Sequence, residues 1–265
     1  LGVVTAATLK LFPVMRSRAV AMLGLETAAA SIELLARAKA ETGGGVEAFE
    51  LMKRLGMALV LKNIPDTREP LESTPPWYVL IELTSGEPGG ADSAMERLLT
   101  GAFEEGLITD AAIAQNDAQK AAFWRLREEH SAGLKPEGGG WKHDVSVPVS
   151  QIADFIDEAT AAVERFHPGC RVSVFGHVGD GNLHYDVIPG VGEDVPAFIA
   201  RWMEGSEIVH DVVARYNGSI SAEHGLGRLK TDEARRYKSP LEIATMQAIR
   251  QAIDPQRIMN PAVLF

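Results

Sequence analysis

A chain of 265 residues can bury a sizeable core as one large unit or two small ones, and 46% hydrophobic with 23% charged residues is an ordinary globular balance. No apolar run approaches the roughly 20 residues needed to span a bilayer. The 26 basic against 36 acidic residues, a formal charge of -10, argue against a nucleic-acid partner, which clustered cations would favour.

The lone cysteine, Cys170, excludes an internal disulfide and fits a reducing compartment. The chain begins at Leu1 without an initiator Met, and LGVVTAATLKLFPV lacks the pattern of a secretory signal, so it reads as a fragment or a processed chain.

In chain order, Val3 to Phe12 reads as a strand that Pro13 ends, and Ala19 to Leu25 as a buried strand. The Ala-rich stretch Glu26 to Glu41 favours a helix that stops at Gly43-Gly44-Gly45. A short strand (Val46 to Leu51), a short helix (Met52 to Leu61) and the proline-rich loop Asn63 to Trp77 follow. The pattern then runs strand Trp77 to Thr84, helix Ala91 to Glu105, strand Ile108 to Ala114, helix Asp117 to Ala132. After the glycine-rich PEGGGW come strand Lys142 to Val147, helix Gln151 to Phe166, strands Arg171 to His177 and Leu183 to Ile188, and helix Ala197 to Tyr216. Strand Gly218 to Ala222 and helix Pro240 to Ile253 complete it. Alternation with hairpin-length connections predicts an α+β fold, helices layered on a mostly antiparallel sheet, with two split βαβ-type units.

Within VFGHVGDGNLHYDV, the dipeptide Asp180-Gly181 suits a two-residue type I′ turn, which would pair Gly179 with Asn182, Val178 with Leu183 and His177 with His184. Opposed residues share a face with Cβ atoms about 5 Å apart, near enough for two imidazoles to hold one ion, and Asp186 falls on the same face. Spacing alone favours a hairpin that happens to carry histidines, but Gly176, Gly179 and Gly181 clear side chains from around the pair. In SISAEHGLG, Glu223 and His224 leave a strand in different directions and could serve one site as ligand and base, or be a solvated strand end. Arg127 and Ser131, four apart, would share a helix face, and Lys142 opens a strand after a flexible loop. Such cations suit a carboxylate, although most helix-borne Arg and Lys are simply solvated.

Together GHVGDGNLH, ISAEHGLG, KHDVSVPVS and the terminal DPQRIMNPAVLF, in this order between Arg127 and Phe265, resemble the flavin-linked 2-hydroxyacid dehydrogenases that include D-2-hydroxyglutarate and D-lactate dehydrogenases. The resemblance implies a ferredoxin-like C-terminal substrate and cap domain over 19–239, with 1–18 the tail of an FAD-binding domain and 240–265 a helix and tail returning to the flavin. It further implies His177, His184 and Glu223 as ligands of a divalent metal, zinc; His224 as general base; Arg127, Ser131 and Lys142 around a distal carboxylate; Asn182 near substrate; and Asn260 approaching FAD. Asp186 stands where relatives often have Asn; a carboxylate donates no hydrogen bond unless protonated.

The implied activity is oxidation of a D-2-hydroxyacid, D-2-hydroxyglutarate before D-lactate or glycolate, with an electron-transfer flavoprotein or a quinone as acceptor. The resemblance is compatible with a homodimer and with a cytoplasmic protein or one peripherally attached to a membrane. The alternatives are a metal-dependent hydrolase, since the same ligands would activate water, and a non-catalytic carboxylate-binding module.

Overall fold

The computed structural model describes residues 4–11 and 14–263. Residues 4–11 are in neither helix nor strand, so the expected strand Val3 to Phe12 is not formed where it is described; residues 3, 12 and 13 lie outside the described residues. Val4, Leu9 and Leu11 stay exposed, with no strand beside them to bury an apolar face.

The first half runs β1 (Ser17–Leu25), α1 (Ala28–Thr42), β2 (Val46–Lys53), α2 (Arg54–Asn63), β3 (Trp77–Ser85), α3 (Gly90–Glu104) and β4 (Asp110–Ile113). After α4 (Asp117–Glu128) and α5 (His130–Leu134), the second half runs β5 (Trp141–Ser146), α6 (Ile152–Phe166), β6 (Arg171–His177), β7 (Asn182–Ile188), α7 (Val195–Ala200), α8 (Trp202–Arg215), α9 (Thr231–Tyr237) and α10 (Pro240–Ile253). Local signals account for several boundaries. The Thr27 hydroxyl accepts from Ala30 N–H at the start of α1, Gly43 ends it at φ 59°, and a Ser239/Glu242 capping box with Pro240 opens α10.

Among the described residues the strands form one seven-stranded sheet in the order β4-β1-β3-β2-β6-β7-β5, all neighbours antiparallel. The first four repeat the ferredoxin-like 4-1-3-2 order. In the second half, β5, α6, β6 and β7 build the same unit, and the place of its fourth strand, on the outer edge of β5, falls to Ser219, which is bridged to Ser146 at the end of β5. The two units join edge to edge through β2 and β6. The expected strand Gly218 to Ala222 is thus one bridge, because Ser219 Oγ bonds Ser221 backbone groups in place of a ladder partner.

The expected helix Ala197 to Tyr216 is two helices, α7 and α8, broken at Arg201. The Trp141 indole stacks on Phe198 at 4.2 Å and donates to its carbonyl, which the broken turn leaves accessible. The expected helix Asp117 to Ala132 is likewise interrupted at Glu129. Helix α9 carries no alternation strong enough to have been foreseen.

Strand parity decides the rest. In β1, Ala19, Ala21 and Leu23 face the core under α1, α3, α6 and α8, while Val20 and Met22 face Met57, Val60 and Leu126 of α2 and α4. On that second face, at the β2–β6 junction and beyond, the apolar run gives way to Glu50, Asp144, Asn182 and the histidines.

Candidate functional site

The β6–β7 turn holds four residues rather than two. His177 pairs with Asn182, and His184 with Phe175, because Val178–Asp180 form a 3₁₀ turn that Gly181 closes at φ 79°. This corrects the expected pairing of His177 with His184. A shift of two residues preserves side-chain parity, so both histidines still share one face, on a diagonal. Gly181 has no room for a side chain: a Cβ would lie 1.9 Å from the Val147 carbonyl oxygen.

Around His177 stand Glu50 and Glu223. His177 Nδ1 lies 2.6 Å from Glu50 Oε1, and its Nε2 lies 3.4 Å from Glu223 Oε1. Asn182 Nδ2 donates to the same Glu223 oxygen. Glu50 is buried, and its second oxygen accepts from Arg127 Nε at 2.8 Å. The Arg127 guanidinium lies over the Phe175 ring at 4.9 Å, and that ring stacks on His184 at 4.7 Å.

Around His184 stand Asp144, its cross-strand partner on β5, and His224. One ligand atom from each of Asp144, His184 and His224 lies within 4.8 Å of the others. The buried Asp144 carboxylate accepts the Glu223 N–H at 3.0 Å and the His224 N–H at 2.8 Å, so it pins the EHG segment against the sheet. Burial raises the Asp144 pKa, but the two N–H bonds together with nearby His224 and His184 bring the net shift below the ordinary carboxylate value. Burial, reinforced by Arg127, moves His184 down, towards the neutral imidazole.

Ser131, Lys142, Asp186, His184 and His224 line a cavity of about 480 Å³, covered by residues 225–230. Asp186 faces Lys142 across β5–β7 and is 3% exposed. Burial pushes its pKa up to about 7, with Lys142 and the His143 N–H opposing. The departure from Asn is thereby softened, because a raised pKa favours the protonated carboxyl, which can donate a hydrogen bond.

The expected residues do not form one compact group. His177 and Glu223 line a separate recess of about 330 Å³ with Glu50; Arg127 turns to Glu50 and, being on α4 while Ser131 is on α5, lines neither space. Asn260 lies in the C-terminal tail at φ 42°, where its carbonyl accepts from Arg250 Nη2 at 3.1 Å. A further cavity of about 1050 Å³ among the glycine loops 43–45 and 86–90 is lined by no histidine.

Two residues were missed by sequence reasoning. Asp144 sits two positions after Lys142 in KHDVSV and so on the same strand face, and Glu50 is a single acid inside the apolar FELM; both signals were present and weak.

A divalent metal can be tested against these donors. Two ligands about 2.0–2.1 Å from one tetrahedral ion stand about 3.4 Å apart, which is the His177 Nε2 to Glu223 Oε1 separation of 3.4 Å. Imidazole with carboxylate is also a donor type that zinc accepts, so the His177–Glu223 pair fits one ion, whereas His184 lines the other cavity and is grouped with Asp144 and His224.

Residues 14–264 match the family described as FAD linked oxidases, C-terminal domain. The chain is 32% identical to the mitochondrial D-2-hydroxyglutarate dehydrogenase of Arabidopsis thaliana over 98% of its own length and 45% of that protein's. It is 34% identical to the D-2-hydroxyglutarate dehydrogenase of Xanthomonas citri pv. viticola over 100% of its own length and 55% of that protein's. The chain thus spans about half the length of these curated relatives. Its fold superposes on substrate-bound p-cresol methylhydroxylase with a TM-score of 0.68 at 14% identity, covering 94% of this chain and 53% of that one.

Proposed function

The chain belongs to the C-terminal domains of FAD-linked oxidases, and from that membership we propose that it is the substrate side of an enzyme oxidising a D-2-hydroxyacid to its 2-oxoacid. D-2-hydroxyglutarate is the favoured substrate, ahead of D-lactate or glycolate. The observation that carries this reading is the pinning of Glu223 and His224 by Asp144 beside His184, at the mouth of a cavity that also holds Lys142 and Ser131.

His177, His184 and Glu223 would hold the divalent metal, with zinc the ion we favour. When bound, that ion supplies Lewis-acid polarisation of the substrate hydroxyl. Asn260 would approach FAD, which would be bound mainly outside this chain and would supply the hydride-accepting chemistry.

The residues of this chain orient the substrate and take its proton. His224, whose backbone N–H is held by Asp144 and whose Nδ1 lies 3.6 Å from Asp144 Oδ2, is the imidazole that accepts the hydroxyl proton. Lys142 and Ser131, which line the cavity, bind the distal carboxylate, while Arg127, which lines neither space and gives its Nε–H to Glu50, holds the Glu50 carboxylate in place. Asn182 orients Glu223, and Asp186, whose pKa burial pushes up to about 7, would donate in its protonated form where a relative would use Asn. An electron-transfer flavoprotein or a quinone would be the electron acceptor. No described helix is long and apolar enough to cross a membrane.

The test is turnover of D-2-hydroxyglutarate, D-lactate and glycolate by the flavin-loaded, zinc-replete full-length protein with an artificial electron acceptor. Reduction coupled to D-2-hydroxyglutarate is expected, and absence of turnover with all three acids overturns the reading.

A further inference from the structure

We infer that Glu50 is a positioning residue that fixes the tautomer of His177, turning the unprotonated Nε2 of its neutral ring towards Glu223. The inference rests on the proposed role of His177 as a metal ligand and goes beyond it, because Glu50 has no place among the ligands, base or carboxylate-binding groups.

The carboxylate is 2% exposed and sits on β2 as the direct cross-strand partner of His177 on β6. Its two oxygens have separate duties. Oε1 takes His177 Nδ1 at 2.6 Å, and Oε2 takes Arg127 Nε at 2.8 Å. An ionised carboxylate accepts only, so the ring nitrogen facing it must carry a proton. In a neutral imidazole the other nitrogen is then the acceptor, and that nitrogen is the one 3.4 Å from Glu223. A histidine that ligates through one nitrogen while donating from the other to a carboxylate has its ring angle and basicity set by that carboxylate. Arg127 matters to this arrangement because its guanidinium can only donate. It commits one Glu50 oxygen and holds the carboxylate between the two strands.

This logic predicts an uneven outcome for an isosteric change. In Glu50→Gln a single oxygen remains, and the obligatory donor Arg127 claims it. The amide NH2 then faces His177 Nδ1, which must become an acceptor, and the ring proton moves to Nε2, the nitrogen the metal needs. Removing Arg127 as well frees the remaining amide oxygen to turn back to His177 Nδ1–H. Met is the replacement of choice at 127, because it keeps an apolar stem over Phe175.

The experiment measures Zn²⁺ affinity of the full-length protein by competition with a chromophoric chelator, for the parent, Glu50→Gln, Arg127→Met and the double variant. Glu50→Gln is expected to weaken Zn²⁺ binding by about 10–100-fold, while Arg127→Met and the double variant stay within about threefold of the parent, the spread that context gives a unit unchanged in its contacts. A purely structural Glu50 would show no such rescue. Binding by Glu50→Gln equal to the parent's, or no recovery in the double variant, overturns the inference while leaving the metal reading intact. A parent that binds no Zn²⁺ overturns both. If Glu50→Gln does not fold, the double variant decides alone: affinity more than about tenfold below that of Arg127→Met overturns the inference.

Discussion

His130 is fully buried on α5, its Nδ1–H donating to the Leu126 carbonyl at 2.8 Å and its ring against Phe175 at 5.1 Å. Burial, aided by the neighbouring Arg127 charge, pushes its pKa down to about 4, although the Leu126 bond pulls the other way. In the unfolded chain a histidine titrates near ~6.5, so below that pH the unfolded state binds a proton that the folded state refuses. A base depressed in this way contributes stability that is fully present above pH ~6.5 and is lost as pH falls towards ~4. At roughly 1.4 kcal/mol per unit the whole span is worth ~3 kcal/mol, of which ~2 kcal/mol is lost between pH 7.5 and pH 5.

The assay is urea unfolding of the parent and of His130→Gln at pH 7.5, 6 and 5. Groups that titrate identically in both proteins cancel in the difference, so only His130 remains. The stability advantage of the parent over the variant is expected to shrink by ~2 kcal/mol across this range. A difference that stays constant with pH would refute the claim that His130 is held neutral by burial.

Other consequences can be measured alongside. Gly56→Ala would place a Cβ 2.7 Å from both His130 Cδ2 and Ser173 Oγ, and overpacking of this kind costs about 1–3 kcal/mol, read as a lowered Tm. Asp144→Ala unpins Glu223 and His224 together; kcat/KM on D-2-hydroxyglutarate should drop at least ~100-fold, about 2.7 kcal/mol of transition-state stabilisation. Lys142→Met should raise KM for D-2-hydroxyglutarate about tenfold while leaving D-lactate, which lacks a distal carboxylate, within about twofold. Prolonged chelation should abolish activity and added Zn²⁺ restore it; full activity in metal-free enzyme would remove His177, His184 and Glu223 from the mechanism.

Much of this was legible because it is local. The two-residue period that separates Ala21 from Met22 places them on opposite faces of β1 without knowledge of any other strand. Ser239 with Glu242 and Gly43 mark helix ends for reasons confined to one turn of chain. Less local elements were misjudged. The break between α7 and α8 depends on the Trp141 indole, 57 residues away from the carbonyl it takes, and the segment 218–222 lost its strand to hydroxyl bonds that compete with an edge ladder.

The histidine pair marks the division most sharply. Sequence by itself determined that His177 and His184 fall on one sheet face, since any register shift by an even number of residues keeps parity. It also determined that a carboxylate and an imidazole leave the SISAEHG segment together. Only the tertiary structure decided what each nitrogen meets: Glu50, 127 residues from His177, arrives through the β2–β6 junction, and Asp144, 80 residues from His224, reaches the EHG backbone from β5. Antiparallel pairing between distant strands sets such contacts to within a hydrogen bond, and no period within a single strand encodes which distant strand will be the neighbour.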